Sequence, residues 1–299
     1  MTKSENAPTI MQKPICLITG ATEGVGRATA VALAKEGFQV VLAARNAAKA
    51  EVVAREIAAL AGGGGADYII ADLASLRQTR ALAESFRRRY PRLDVLINNA
   101  GVFLPERTET EDGFETTYQI NYLSHFLLTQ LLLDELKKSE QGRIINLSSS
   151  VYAAGRFDPQ NLQSEKRFSV LGTYSASKLF MLMFTRELAR RLAGMRITAN
   201  AVHPGIVRTR MMLHAPGAAF RIMSYLSLPF SISPERGART SVYLASSPDI
   251  EGVSGAYFTR SKRTEARNRF DTDENRALLW DLSLESLRER TAVDARSGG

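Results

Sequence analysis

Cysteine is almost missing from this chain. Cys16 is the only one in 299 residues, so no disulfide can close within it. A lone thiol fits a reducing compartment, and the expected location is cytoplasmic. Histidine is equally scarce, and His125, His203 and His214 lie far apart. Such dispersed residues do not make the ligand cluster of a metal site, so no metal is expected. No apolar run approaches the roughly 20 residues that cross a bilayer as a helix, and no transmembrane segment is expected. Residues 1–13 are polar, lack the apolar core of a signal peptide, and read as a flexible tail. Acidic residues are the minority, 31 against 39 basic ones, giving a formal charge of +8. That sign suits polyanions. The bases are scattered or mixed with acids, however, as from Arg263 to Arg276, which describes a solvated surface and not a nucleic-acid site.

What the chain does have is 44% apolar residues in a regular alternation. Strands are expected from Ile15 to Ile18, Gln39 to Ala44, Tyr68 to Ala71, Val95 to Asn98, Arg143 to Leu147, Ile197 to Val202 and Ala256 to Phe258. Between them fall helical patterns from Arg27 to Glu36, Ala47 to Leu60, Leu76 to Tyr90, Phe114 to Lys138, Thr173 to Leu192 and Pro234 to Ala245. Strands joined through helices imply parallel crossovers. The expected fold is therefore α/β: one Rossmann-type domain over 14–260, a doubly wound parallel sheet with helices on both faces. Residues 261–299 read as a charged C-terminal extension with an amphipathic helix around Leu278 to Leu287.

The first strand runs into Thr19-Gly20-Ala21-Thr22-Glu23-Gly24-Val25-Gly26, followed by a helix. A glycine-rich strand-to-helix turn lets backbone N–H groups approach a pyrophosphate. Glycines also make ordinary tight turns, but the position at the start of the fold favours the phosphate reading. At the end of the second strand an acid would select NAD through the ribose 2′-hydroxyl. Ala44-Arg45 stands there instead, and a guanidinium grips a 2′-phosphate, so NADP(H) is the expected cofactor. Two points count against it: Arg45 alternatively just begins a surface loop, and Glu23 puts a negative charge in the glycine loop.

Tyr174-Ser175-Ala176-Ser177-Lys178 opens a helical pattern and puts tyrosine and lysine on one face. An ammonium beside a phenol stabilises the phenolate and lowers its pKa toward the working pH. Alone this pair is weak, because chance supplies it often. Ser148-Ser149-Ser150 and His203-Pro204-Gly205 each end a strand at the sheet edge where open α/β folds bind ligands. Four elements converging on one edge are harder to attribute to chance.

These residues together resemble the short-chain dehydrogenase/reductase family, over Ile15 to Phe258. The motifs that carry the likeness are Thr19 to Gly26, Asp72-Leu73, Asn98-Asn99-Ala100-Gly101, Asn121, Ser149, Tyr174 with Lys178, and Pro204-Gly205. The branch it resembles most is the retinol dehydrogenase-like one, through Ala44-Arg45, His203-Pro204-Gly205 and Gly255-Ala256-Tyr257-Phe258. The resemblance implies that Tyr174 exchanges the proton of the carbonyl/alcohol pair, that Lys178 tunes it and holds the nicotinamide ribose, and that Ser149 hydrogen-bonds the reacting oxygen. It implies that Asn121 supports a water leading to Lys178. The cofactor side would comprise Gly20, Thr22, Glu23, Gly24, Val25, Gly26 and Arg45, then Asp72 and Leu73 flanking adenine. Asn99, Ala100 and Gly101 would line the adenine-ribose side, with Tyr174, Lys178, Pro204, Gly205, Val207 and Thr209 toward the nicotinamide and phosphates. Ser149 and Tyr174 stand further apart than is usual in the family. The extra stretch, from Tyr152 to Gly172, reads as a loop that this branch shares.

The flap at 206–233 carries Met211, Met212, Leu213, Phe220, Met223 and Tyr225. Its adaptable apolar surface suits a hydrophobic carbonyl or alcohol. A core-facing amphipathic helix, or a peripheral membrane contact with Arg208, Arg210 and Arg221, is an alternative reading. The faces from Thr117 to Leu136 and from Leu179 to Leu192 either pair in a homodimer or are covered within a monomer. The expected activity is NADP(H)-dependent hydride transfer. The competing readings are an NADP-binding sensor or scaffold without turnover, and a reductase of a carbon–carbon double bond.

Overall fold

Ile15–Thr19 form β1, and all five side chains are buried, as befits a strand covered on both sides. The computed structural model describes residues 13–60, 65–208 and 231–297. From β1 the chain enters α1 (Gly24–Lys35), β2 (Gln39–Ala44), α2 (Ala47–Ala58), β3 (Ala66–Ile70), α3 (Leu76–Arg89) and β4 (Val95–Asn98). Asn46 and Ser75 cap α2 and α3 by accepting the backbone N–H of Lys49 and Gln78.

The single long helix expected after β4 is instead broken. A short turn α4 (Thr116–Tyr118) passes into a π-helical turn at Gln119–Leu123, then α5 (Ser124–Leu131) and α6 (Leu133–Lys137). After β5 (Gly142–Leu147) comes a 3-10 turn at Ser150–Ala154, and α7 (Val170–Arg191) begins at its cap Ser169. β6 (Ile197–His203), α8 (Pro234–Ser246), β7 (Tyr257–Thr259), β8 (Lys262–Thr264) and α9 (Asp273–Ser297) complete the chain.

The strands form one sheet in the order β3-β2-β1-β4-β5-β6-β7-β8, and every pairing is parallel except β7 with β8. Leu17, Val41 and Leu96 join a core with α3, α5, α7 and α9, while Cys16, Ile18, Val40 and Leu42 join one with α1, α2 and α8. Period-two alternation thus sends neighbouring residues to opposite cores. β8 was not expected. It follows a turn in which Arg260 and Ser261 both take positive φ, and it extends the sheet into the segment read as an extension.

β1 lies between β2 and β4: the chain runs outward through β2 to β3, then crosses back to lay β4 on the other side of β1, which reverses the strand order there. The crevice this opens at the C-terminal strand ends is where open α/β sheets bind ligands.

Candidate active site

The glycine loop is shaped by close approach. A Cβ on Gly26 would lie 2.4 Å from the Gly20 carbonyl oxygen and 2.4 Å from Asn99 Nδ2, so no larger residue fits. Gly20, at φ +64°, would meet Ala100 Cα at 2.9 Å. Thr19 ties this loop to the next strand end: its hydroxyl oxygen accepts the N–H of Asn99 at 2.9 Å and of Ala100 at 3.0 Å. The Asn99 amide donates to the carbonyls of Thr19 (2.7 Å) and Gly20 (3.2 Å). Asn99 was expected to line the adenine-ribose side. Its amide is committed to holding the loop, because the backbone there leaves two carbonyls turned toward it. Val25 is buried against α8: a Cβ on Gly237 would meet Val25 Cγ2 at 3.2 Å and Val207 Cγ2 at 2.6 Å. Thr22 is half-buried on the same loop.

Arg45 is exposed just past β2. Glu23, the residue that counted against a phosphate, is ion-paired with Lys49 on the first turn of α2. The loop's negative charge is therefore already matched. Asp72 accepts the N–H of Ala74 at 2.9 Å, which shapes the turn after β3. Leu73 is buried, and its carbonyl accepts from Ser124 Oγ at 2.6 Å.

At the other end, Tyr174 and Lys178 share one face of α7. Lys178 is 5% exposed, and its Nζ donates to the Leu147 carbonyl at 3.1 Å, at the end of β5. Nζ stands 5.6 Å from the centre of the Tyr174 ring. Gly101 closes on the same spot, since a Cβ there would meet Asn121 Oδ1 at 3.3 Å and Lys178 Nζ at 3.5 Å. Ser148 donates to the Lys178 carbonyl at 2.8 Å and so braces the helix. Ser149, half-buried, caps the 3-10 turn by accepting from Val151 N at 3.4 Å. Phe103 packs edge-on against the Tyr174 ring at 5.0 Å between centres.

Burial decides the ionisation here. It pushes the Tyr174 phenol up to about 12 and the Lys178 ammonium down to about 8. This reverses the expectation that the ammonium would lower the phenol. Removing water disfavours both charged forms, and an ammonium across the ring, itself weakened, does not offset it.

Asn121 sits in the π-helical turn, a feature often found at functional sites. Its side chain accepts from Val102 N (2.7 Å) and donates to Val102 O (3.0 Å) and Ser177 Oγ (3.1 Å). Ser177 in turn donates to the Tyr174 carbonyl at 2.7 Å. Asn121 was expected to support a water; its side chain bridges the Val102 loop to α7. Sequence reading assigned nothing to His125. It is fully buried, with Nε2 2.9 Å from Thr19 Oγ1 and Nδ1 3.3 Å from the Asn121 carbonyl. Burial pulls its pKa down to about 3, so it is neutral. We assign the proton to Nδ1, donating to Asn121, since the Thr19 hydroxyl accepts two N–H bonds and can give its own hydrogen to Nε2.

His203 Nδ1 accepts the N–H of Ser150 at 3.3 Å, and burial, with Arg260 nearby, holds its pKa down to about 4. Pro204 and Gly205 lead away from it, Gly205 at φ +93°. The base of the flap is closed by hydrogen bonds from Arg208 N to Ile232 O (3.0 Å) and from Ile232 N to Ile206 O (2.8 Å). Thr209 and the apolar flap residues Met211, Met212, Leu213, Phe220, Met223 and Tyr225 lie outside the described residues. Among the described residues no helix is long and apolar enough to cross a membrane.

The short chain dehydrogenase family model matches residues 14–216. Retinol dehydrogenase 14 of Mus musculus is 45% identical over 288 residues, covering 92% of this chain and 86% of that protein. Retinol dehydrogenase 12 of Homo sapiens is 40% identical over 273 residues, 91% and 86% of the two chains. A crystal structure of an uncharacterized protein from Mycobacterium paratuberculosis superposes with a TM-score of 0.72 at 32% identity, covering 92% of this chain and 93% of that one. The RhlG/NADP active-site complex from Pseudomonas aeruginosa gives 0.67 at 28% identity, over 82% and 93%.

Proposed function

This chain belongs to the short chain dehydrogenase family of oxidoreductases, in its retinol dehydrogenase-like part, and from that footing we propose that it reduces a hydrophobic aldehyde or ketone with NADPH. The observation that carries the reading is the meeting of Tyr174, Lys178 and Gly101 at the crevice. There an ammonium anchored on Leu147 O stands beside a half-buried phenol.

The residues fit a dinucleotide. A loop that admits no Cβ at Gly20 or Gly26 allows close backbone approach to a pyrophosphate at the start of α1, and Gly101 leaves room beside Lys178. Arg45 would hold the 2′-phosphate, with Glu23 neutralised by Lys49. Neighbours crystallised with NADP support that preference. NADPH, when bound, supplies the hydride. The remaining work is the chain's own. Tyr174 gives its phenolic proton to the substrate oxygen. Lys178 holds positive charge beside the phenolate left behind, and the Ser149 hydroxyl donates to the same oxygen. A phenol raised to about 12 is protonated at neutral pH, the form in which it can donate.

The names of the relatives make retinaldehyde the first substrate to try. Loss of reduced-nicotinamide absorbance, followed across long-chain, aromatic and retinoid carbonyls with NADPH and NADH, tests the reading. It predicts turnover with at least one hydrophobic carbonyl and a preference for NADPH that narrows about tenfold in Arg45→Ala. Tight NADPH binding with no turnover across the panel would favour a sensor. A product saturated at a carbon–carbon double bond would favour the other reductase chemistry.

A further inference from the structure

We infer that Asn268, in the segment between β8 and α9, is a positioning residue that fixes the Ser149 turn against the helix carrying Tyr174 and Lys178. The inference rests on Ser149 acting at the substrate oxygen as proposed above.

Chain connectivity does little to hold these two pieces together, because the stretch from Gly155 to Ser169 separates the Ser149 turn from α7. The structure supplies a tie from elsewhere. The Asn268 Nδ2 group lies 2.9 Å from the Tyr152 carbonyl, 3.3 Å from that of Ala153 and 3.0 Å from that of Gly155. Two N–H hydrogens are thus shared among three carbonyls of the turn that Ser149 caps. Asn268 Oδ1 accepts Phe270 N at 2.9 Å, which fixes which end of the amide faces the turn.

The turn in turn bears on the catalytic helix. A Cβ on Gly155 would come within 2.5 Å of the Ser175 carbonyl oxygen and 2.8 Å of Leu179 Cβ, so this backbone rests directly on the stretch of α7 between Tyr174 and Lys178. The same segment grips α7 further along. Arg186 is paired with the buried carboxylate of Asp271 and donates to the Ala266 carbonyl at 2.8 Å, while Arg276 closes on Asp271 from α9. Residues 266–271 therefore hold the Ser149 turn with one side chain and α7 with another. What looks in sequence like a charged appendage sets the spacing between Ser149 and Tyr174, the two groups proposed to meet the reacting oxygen.

The test compares full-length wild type with Asn268→Ala, Asn268→Asp and Asn268→Gln. Asp keeps the shape but faces three carbonyls with a carboxylate, and Gln keeps the donor on a longer arm. Removing the tie should lower kcat about tenfold to a hundredfold in the Ala and Asp variants, as expected for a catalytic group displaced by about 1 Å. KM for the carbonyl and the NADPH Kd should stay within about twofold, and Gln should restore part of kcat. Backbone amide exchange should accelerate in peptides spanning 150–156 and stay unchanged in the central strands. Wild-type kcat in Asn268→Ala would overturn the inference. So would a loss of NADPH binding in step with thermal stability, or Gln behaving like Ala. If the wild type turns over no carbonyl, the functional proposal fails by itself, and amide exchange then decides the tie: unchanged exchange at 150–156 in Asn268→Ala would overturn it.

Discussion

Two side chains at the site, Lys178 and His125, have pKa values pulled down by burial, and both consequences can be measured. Lys178 is held down to about 8. If its charge supports the departing phenolic proton, carbonyl reduction should be level below that pH and fall as the pH rises through it. A pH profile of kcat/KM, which reports the free enzyme, with no descent near pH 8 would argue against that role. The same shift says the charged form is disfavoured in the fold, by about 3 kcal/mol at neutral pH. Lys178→Met should then lower kcat at least about a hundredfold while leaving the thermal midpoint no lower than wild type, a separation of function from stability that a melting curve reads. His125 bears on stability. Its folded pKa of about 3 lies below the ordinary value of 6.5, so the unfolded chain takes up a proton first as acid is added. Its contribution is full above about 6.5 and is lost as the pH falls toward 3. His125→Gln should flatten that part of a stability-against-pH curve.

At the scale of elements, the glycine loop and the turn after β5 were visible in sequence to different degrees. Gly20, Gly24 and Gly26 could be read because glycine at a strand-to-helix turn has a steric reason, and Tyr174 with Lys178 because four residues is one helix turn. Gly26→Ala should therefore abolish measurable NADPH binding by titration, since the new Cβ would strike the Gly20 carbonyl at 2.4 Å. The π-helical turn at Gln119–Leu123 was not legible, because its apolar pattern is that of an unbroken helix. Nor was β8, whose Lys262–Thr264 are exposed and follow a turn with no glycine at its positive-φ positions. Asn99, Asn121 and Asn268 show the same limit. An asparagine's type announces that it will hydrogen-bond, but the carbonyls and hydroxyls to which these side-chain amides donate lie far along the chain, and no local pattern encodes them.

Across the whole molecule, the C-terminal helix occupies a face that had been left open in the sequence reading. Trp280 packs edge-on against Phe126 at 4.9 Å, stands 6.0 Å from Phe184, and carries the Arg191 guanidinium 4.2 Å above its ring. Ser283 Oγ meets the Tyr122 hydroxyl at 2.7 Å. These partners lie on α5, α7 and the π-helical turn, the surfaces named as a dimer face. With α9 on them, pairing through that face requires α9 to leave. The chain should sediment as a monomer at micromolar concentration, and a stable dimer would contradict this. Trp280→Ala should cost about 3–5 kcal/mol in denaturant unfolding, the usual range for a buried aromatic truncated to alanine. It should also weaken the hold of the extension on α7.

The most direct measurement is the kcat for NADPH-driven reduction by Tyr174→Phe, set beside its NADPH dissociation constant. The account predicts a fall in kcat of at least about a thousandfold, with the dissociation constant within about twofold of wild type, because only the proton has been removed. A variant that still reduces carbonyls at close to the wild-type rate would contradict it, as would one whose slow turnover follows from failure to bind NADPH.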